Sequence, residues 1–143
     1  MPPLILLAVL VLATLVAVSV DRGRRGAAAC AYRRLAVVHE MHYSPGDPLR
    51  VTPRVAAALP VPGAAAVRVI DLLYRTDAAG HHYVFTAEYT VGVVYLKHRV
   101  RRAAAFDEPR GATGAPTAIR VAEEGLPLVA QYESLLAANG PPS

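Results

Sequence analysis

The chain opens on an unbroken apolar run. Residues 4–20, LILLAVLVLATLVAVSV, carry no charged side chain. With Pro2 and Pro3 the segment spans about 28 Å as a helix at about 1.5 Å per residue, which matches a bilayer core. Backbone groups in hydrocarbon have to bond to one another, so a continuous helix is the form this stretch takes there. Beyond it, over residues 27–42, Ala28, Ala31, Leu35 and Val38 recur at three and four residues, while Arg33, Arg34, Val37 and Glu40 fall elsewhere on the wheel. That spacing predicts an amphipathic helix, ended by Ser44-Pro45-Gly46-Asp47-Pro48. Thr52-Pro53 supplies an N-cap and a first helical position for a short helix through Ala58, closed by Pro60 and Pro62.

From Ala65 the period shortens to that of strands. The run from Val67 to Tyr74, the turn Asp77-Ala78-Ala79-Gly80 and the run from Tyr83 to Thr90 predict a hairpin, with Gly80 suited to a left-handed turn position. In the second strand Tyr83, Phe85, Ala87 and Tyr89 share one face, the expected core, and His82, Val84, Thr86, Glu88 and Thr90 share the other. Gly92 marks a second reversal, after which alternation predicts a third strand over 95–106. Residues 107–116 read as a loop and 118–121 as a fourth short strand. Pro127 opens a C-terminal helix on which Leu128, Tyr132 and Leu135 form a stripe beside Val129 and Leu136, with Asn139-Gly140-Pro141 as its stop.

The expected architecture is α+β: an N-terminal transmembrane helix, then a small antiparallel β-meander of three to four strands packed with short helices and a C-terminal helix. Residues 1–21 form the anchor, 22–48 a basic juxtamembrane helix and loop, and 49–143 the α+β domain. The chain's 143 residues leave room for one such domain.

Charge gives the apolar run a direction. Met1, Pro2 and Pro3 before it carry no basic side chain, whereas Arg22, Arg24 and Arg25 follow it. By the positive-inside rule these arginines set the topology, with a single-pass chain in the cell membrane and its domain in the cytoplasm. The alternative is a cleaved signal peptide and an exported domain, for which Ala17-Val18-Ser19 is a passable cleavage pattern. Ala13 and Ala17 form a small-xxx-small pair that would suit a weak homodimer of anchors.

Composition excludes several chemistries. Cys30 is the only cysteine, so no intrachain disulfide or multi-thiolate metal site forms. His39-Glu40-Met41-His42 spaces its histidines by three, not the four of the HExxH zinc motif, and lacks a third ligand, so no metal is assigned. His81 and His82 point to opposite faces of a strand, so at most one can join His98. Asp107-Glu108 and Glu123-Glu124 read as solvated acids, and Cys30 lacks the electropositive setting of a reactive thiol. No phosphate loop, dinucleotide fingerprint or nucleophile elbow is present. Neither catalytic residues nor a cofactor are therefore assigned.

The net charge of +4 is carried by 14 arginines and one lysine among the basic residues. Its one patterned feature is the third strand, where Lys97, Arg99 and Arg101 project from one face beside Tyr95, with Arg102 on the other. That stripe suits lipid headgroups, an acidic protein surface or, less well, nucleic-acid phosphates; as a bare sheet face it would serve solubility alone.

The succession of the anchor, HEMHYSPGDPLR, VPGAAAVRVIDLLYRT, HHYVFTAEYTVGVV, RVRRAAAFDEP and EGLPLVAQYESLL resembles small uncharacterised single-pass membrane proteins of high-GC bacteria. The resemblance covers nearly the whole chain and implies an anchored α+β domain, with no activity or catalytic residues to carry over. The expected function is a membrane-anchored, nonenzymatic interaction or accessory domain that meets the bilayer and a protein partner. Anionic lipid or nucleic-acid binding through the basic strand, and a hydrolase-type enzyme, are the alternatives. A flat or convex surface suits partner docking; a deep pocket with converging polar groups argues against it.

Overall fold

A computed structural model describes residues 2–93, 95–111 and 118–138. It consists of α1 (Pro3–Val38), β1 (His42–Ser44), α2 (Thr52–Ala58), β2 (Ala65–Asp77), β3 (Gly80–Val91), β4 (His98–Pro109), β5 (Arg120–Val121) and α3 (Leu128–Ala138). The five strands form one antiparallel sheet in chain order, a β-meander. The α+β class stands, with five strands where three to four are expected.

The apolar run and the amphipathic segment are one helix of 36 residues, not two elements. Gly23 and Gly26 weaken it, at about 1 kcal/mol each relative to alanine, but they are flanked by good helix formers, and an Asp21–Arg25 pair at 2.9 Å bridges one turn. The first part passes the length and hydropathy test for a membrane span, and none of it is buried in the protein. The last part docks, with Tyr32 and Ala36 fully in the core.

The helix stops at Val38, short of the expected His42. Met41 N–H bonds the Ala36 carbonyl at 2.7 Å and Glu40 N–H bonds that of Val37 at 3.2 Å, with Glu40 at φ 54°. This is a Schellman closure with glutamate in the left-handed position where glycine is usual. The chain turns at once into β1, so His42 to Ser44 pair with Tyr74 to Leu72 instead of continuing the helix.

Both faces of the sheet are covered. On one, Tyr83, Phe85, Ala87 and Tyr89 pack with Phe106, Val69 and Leu72 beneath Val51 and Val55 of the α2 region. On the other, Leu73, Val84, Ala103 and Ala105 pack against Tyr32 and Ala36 of α1 and Tyr132, Leu135 and Leu136 of α3. The small side chains Ala103 and Ala105 bring α3 close to the sheet. Gln131 of α3 then accepts the Ala103 N–H at 2.9 Å, satisfying a main-chain donor in the core.

The turns obey local chemistry. Asp77 Oδ1 accepts from the N–H groups of Ala79 and Gly80, and Gly80 sits at φ 139° where a side chain would strike the Glu108 carbonyl. The start of α2 is capped by Asp47, which accepts from Val51 and Thr52 N–H at 2.8 Å, rather than by Thr52 itself. β4 begins at His98, not at residue 95, and runs on to Pro109, so the start of the loop expected over 107–116 is strand. Residues 112–117 and the stop at Asn139-Gly140-Pro141 lie outside the described residues.

Candidate functional site

β2 is the irregular strand, and its irregularity shapes the site. Its pairing with β3 slips between Ala65 and Arg68 and again between Ile70 and Leu73, and each slip carries a non-glycine residue in the left-handed region, Ala66 at φ 52° and Asp71 at φ 49°. Aspartate tolerates that conformation better than most residues. At the second bulge Asp71 is gripped from three sides. Its N–H bonds the Pro45 carbonyl at 3.1 Å, its carbonyl accepts from the Tyr132 hydroxyl at 2.7 Å, and its Oδ1 accepts from the Tyr43 hydroxyl at 2.8 Å.

Beside this bulge lies an open cleft of about 700 Å³, within the range of small-molecule sites. Arg25, Gly26, Ala28, Ala29 and Tyr32 of α1 form one wall. The floor is the sheet face carrying Arg68, Ile70 and Asp71 of β2, Glu88 of β3 and Arg99 and Arg101 of β4. Tyr43, Pro45 and Leu128 complete the rim.

Part of this floor is Glu88, an acidic side chain in a residue only 1% exposed. Arg99 Nη1 approaches its Oε1 at 3.1 Å and Arg101 Nε its Oε2 at 2.8 Å. Strand register adds Arg68, which stands directly opposite Glu88 from β2 as Arg101 does from β4. A buried carboxylate is stable only when paired in this way, and it in turn fixes two guanidinium groups that keep more than half their surface in solvent.

Burial acts on the titratable groups around the bulge, Asp71, Tyr43 and Tyr32. Burial pushes the Asp71 carboxyl up, against the Tyr43 hydrogen bond and the Arg101 charge. Burial first, then the bond to Asp71, pushes the Tyr43 phenol above its ordinary range. Burial and the Asp71 charge do the same for Tyr32. The phenols therefore act as donors, and the arginines as the cationic groups facing the opening.

The expected basic stripe is divided. Arg99 and Arg101 lie in the cleft; Lys97 sits in the β3–β4 loop with Tyr95, off the strand. Arg102, on the opposite face, donates to the Ala122 carbonyl and lies 3.5 Å from Glu124. Of the topology arginines, Arg22 and Arg24 are exposed on α1, while Arg25 pairs with Asp21 and lines the cleft. Ala13 and Ala17 lie exposed one turn apart on α1. Arg68, Asp71 and Tyr43 have no counterpart in the basic-strand reading; the one feature of the sequence that could point to the cleft is Glu88, the lone acid in the run from Tyr83 to Thr90.

The histidines stay apart from the cleft. His39 closes α1, His42 of β1 lies tilted against the Tyr74 ring of β2, and His98 is exposed. His82 lies between Asp107 at 2.7 Å and Asp77 at 2.9 Å at the far hairpin end. Among the described residues, no three His, Cys, Asp or Glu side chains are disposed to hold a metal. Cys30 is exposed and free. The chain matches no family model, no curated protein and no solved structure.

Proposed function

We propose that the chain is a membrane-tethered, nonenzymatic binding module whose cleft takes the anionic headgroup of a membrane lipid. The observation that carries this reading is the position of the cleft on α1. Arg25 stands five residues beyond Val20, the end of the apolar run, which is about 7.5 Å at 1.5 Å per residue. The polar layer of one leaflet is roughly 5–7 Å deep, so a spanning α1 puts the mouth of the cleft at the headgroup surface.

The cleft's charge fits that position. Arg25, Arg68, Arg99 and Arg101 face Asp71 and Glu88, leaving an excess of planar donors of the kind that bind phosphate by two parallel hydrogen bonds. Partner docking, the first expectation from the sequence, is less well supported, because converging polar groups in a concavity suit a small anionic group. Arg22, Arg24 and Arg25 support a cytoplasmic domain by the positive-inside rule.

The test uses the full chain in neutral detergent, titrated with short-chain phosphatidylglycerol or phosphatidylcholine. Tyrosine fluorescence reports binding, since the chain has no tryptophan and Tyr32 and Tyr43 line the cleft. A saturable, salt-sensitive response to the anionic phosphatidylglycerol alone is expected, weakened at least tenfold in Arg68→Glu and Arg101→Glu, a loss of about 1.4 kcal/mol or more. An equal response to both lipids, or none of this sensitivity to charge reversal, would overturn the reading.

A further inference from the structure

Among the described residues, Val93, Tyr95 and Leu96 between β3 and β4 are the most exposed large apolar side chains outside α1. Val93, Tyr95 and Leu96 are 69%, 95% and 74% exposed, and Lys97 beside them is exposed as well. The loop is a shaped tip. Gly92 takes φ 113°, where a side chain would collide with the Leu96 carbonyl, and the Leu96 N–H bonds the Val93 carbonyl at 2.8 Å.

One contact and one shared lining indicate on which side of the domain that tip lies. At one level, Arg75 donates to the His39 carbonyl at 3.2 Å, and Arg75 is paired with His82 of β3. At another, Arg25 shares the cleft with Glu88 of β3. From His39 back to Arg25 is about 21 Å of helix at 1.5 Å per residue. From His82 to Glu88 is about 20 Å of strand at 3.3 Å per residue. With Val84 packed in one cluster with Tyr32 and Ala36, and Glu88 sharing the cleft with Arg25, β3 advances in the same sense as α1 followed back towards the apolar run. From Glu88 to Gly92 adds about 13 Å of strand, which carries the loop beyond the cleft on the side of the domain from which the apolar run leaves.

We propose that this loop is a second membrane contact of the chain. Val93 and Leu96 enter the acyl boundary of the leaflet facing the domain, Tyr95 sits in the aromatic belt, and Lys97 meets lipid phosphates. A domain hung from a spanning α1 at Arg25 carries the loop tip past the headgroup layer. The residue types found there suit that depth: an aromatic with one polar end, two aliphatic side chains, and a lysine able to reach outwards. The occupant is the bilayer itself, because a spanning α1 enters it on the same side of the domain as the loop. The inference rests on the reading of α1 as a membrane span, though not on headgroup binding in the cleft.

Depth-dependent quenching separates the two readings. In a Cys30→Ser background, single cysteines at Leu12→Cys, Tyr95→Cys, Leu96→Cys and Ala78→Cys are labelled with an environment-sensitive fluorophore, and the full chain is placed in phosphatidylglycerol–phosphatidylcholine bilayers containing spin-labelled lipid. Ala78 lies in the hairpin turn at the other end of the sheet and is the aqueous reference. The labels at 12, 95 and 96 should be quenched at least twofold more than that at 78. Quenching at 12 with 95 and 96 matching 78 overturns the loop contact and leaves the anchor standing. Equal, weak quenching at 12 and 78 overturns the anchor and the loop contact together.

Discussion

The Tyr132 hydroxyl donates to the main-chain carbonyl of Asp71 at 2.7 Å and lies 2.7 Å from the Thr86 hydroxyl. With its one proton committed to Asp71, Tyr132 accepts from Thr86, so a single buried phenol joins α3 to the bulge of β2 and to β3. Tyr132 also packs on Tyr32, with ring centroids 4.5 Å apart. The bulge that positions Asp71 at the edge of the cleft is thus held by the core.

Tyr132→Phe keeps the ring and deletes the clasp. The Asp71 carbonyl and the Thr86 hydroxyl lose a partner, which costs about 1–3 kcal/mol where water does not replace it. Denaturant unfolding should show a lower midpoint with an unchanged slope. An unchanged midpoint would mean that water or a neighbouring group replaces the phenol at the bulge.

Asp71→Asn should stabilise the chain at neutral pH. Burial raises the Asp71 carboxyl above its unfolded value, so between the two values the folded state binds more protons and stability falls as pH rises. Above that window the ionised side chain carries the full penalty. Asparagine preserves an acceptor for Tyr43 and tolerates φ 49°. The melting temperature of Asp71→Asn should exceed that of the unmodified chain at pH 7, and the difference should vanish on acidification below the ordinary carboxylate range. A gain of equal size at every pH would show that charge is not its source.

Much of this fold is legible in local pattern, because apolar spacing, Gly80 and the prolines act over a few residues. Gly80 stands at φ 139° in the hairpin turn, and α2 occupies Thr52–Ala58 as its flanking prolines indicate. The helix end is not legible, since the left-handed position is filled by Glu40, which gives no stop signal. Nor is the second buried face of β3: Thr86 and Glu88 read as solvent-facing, and only α1 and α3 folding back show otherwise. The cleft is least legible. Arg25, Arg68, Asp71, Glu88 and Arg101 come from four elements, and no short-range spacing relates them.

Asp47 couples the entry of α2 to the sheet. It accepts the Thr52 hydroxyl at 2.7 Å, and that same oxygen accepts Val69 N–H at 3.2 Å. Burial would raise the Asp47 carboxyl, but the bonds from Val51 and Thr52 outweigh it and hold the group below the ordinary range. Its stabilising effect is therefore present above the unfolded value and lost as pH falls through the folded one. Asp47→Ala should cost about 1–2 kcal/mol at pH 7. It should also flatten the acid limb of the stability curve, measured as the unfolding midpoint between pH 7 and pH 2; an unaltered limb would remove Asp47 as its source.

Glu88→Gln tests whether the cleft is an anion site. The carboxylate is the internal counter-charge of Arg99 and Arg101, whose side chains are 61% and 56% exposed. The solvated guanidinium groups lose little, but the amide turns one buried acceptor into a donor facing an arginine, so the stability cost should be about 1–3 kcal/mol. Binding should respond more. With their partner gone, both arginines are available to an incoming phosphate, and phosphatidylglycerol affinity should rise roughly threefold to tenfold, the factor for about 0.7–1.4 kcal/mol. Added salt should weaken that binding more steeply than in the unmodified chain, because more of it is electrostatic. Weaker binding in Glu88→Gln, with folding intact, would mean that the carboxylate itself contacts the ligand. The occupant would then be cationic or a hydrogen-bond donor, and the headgroup reading would fall.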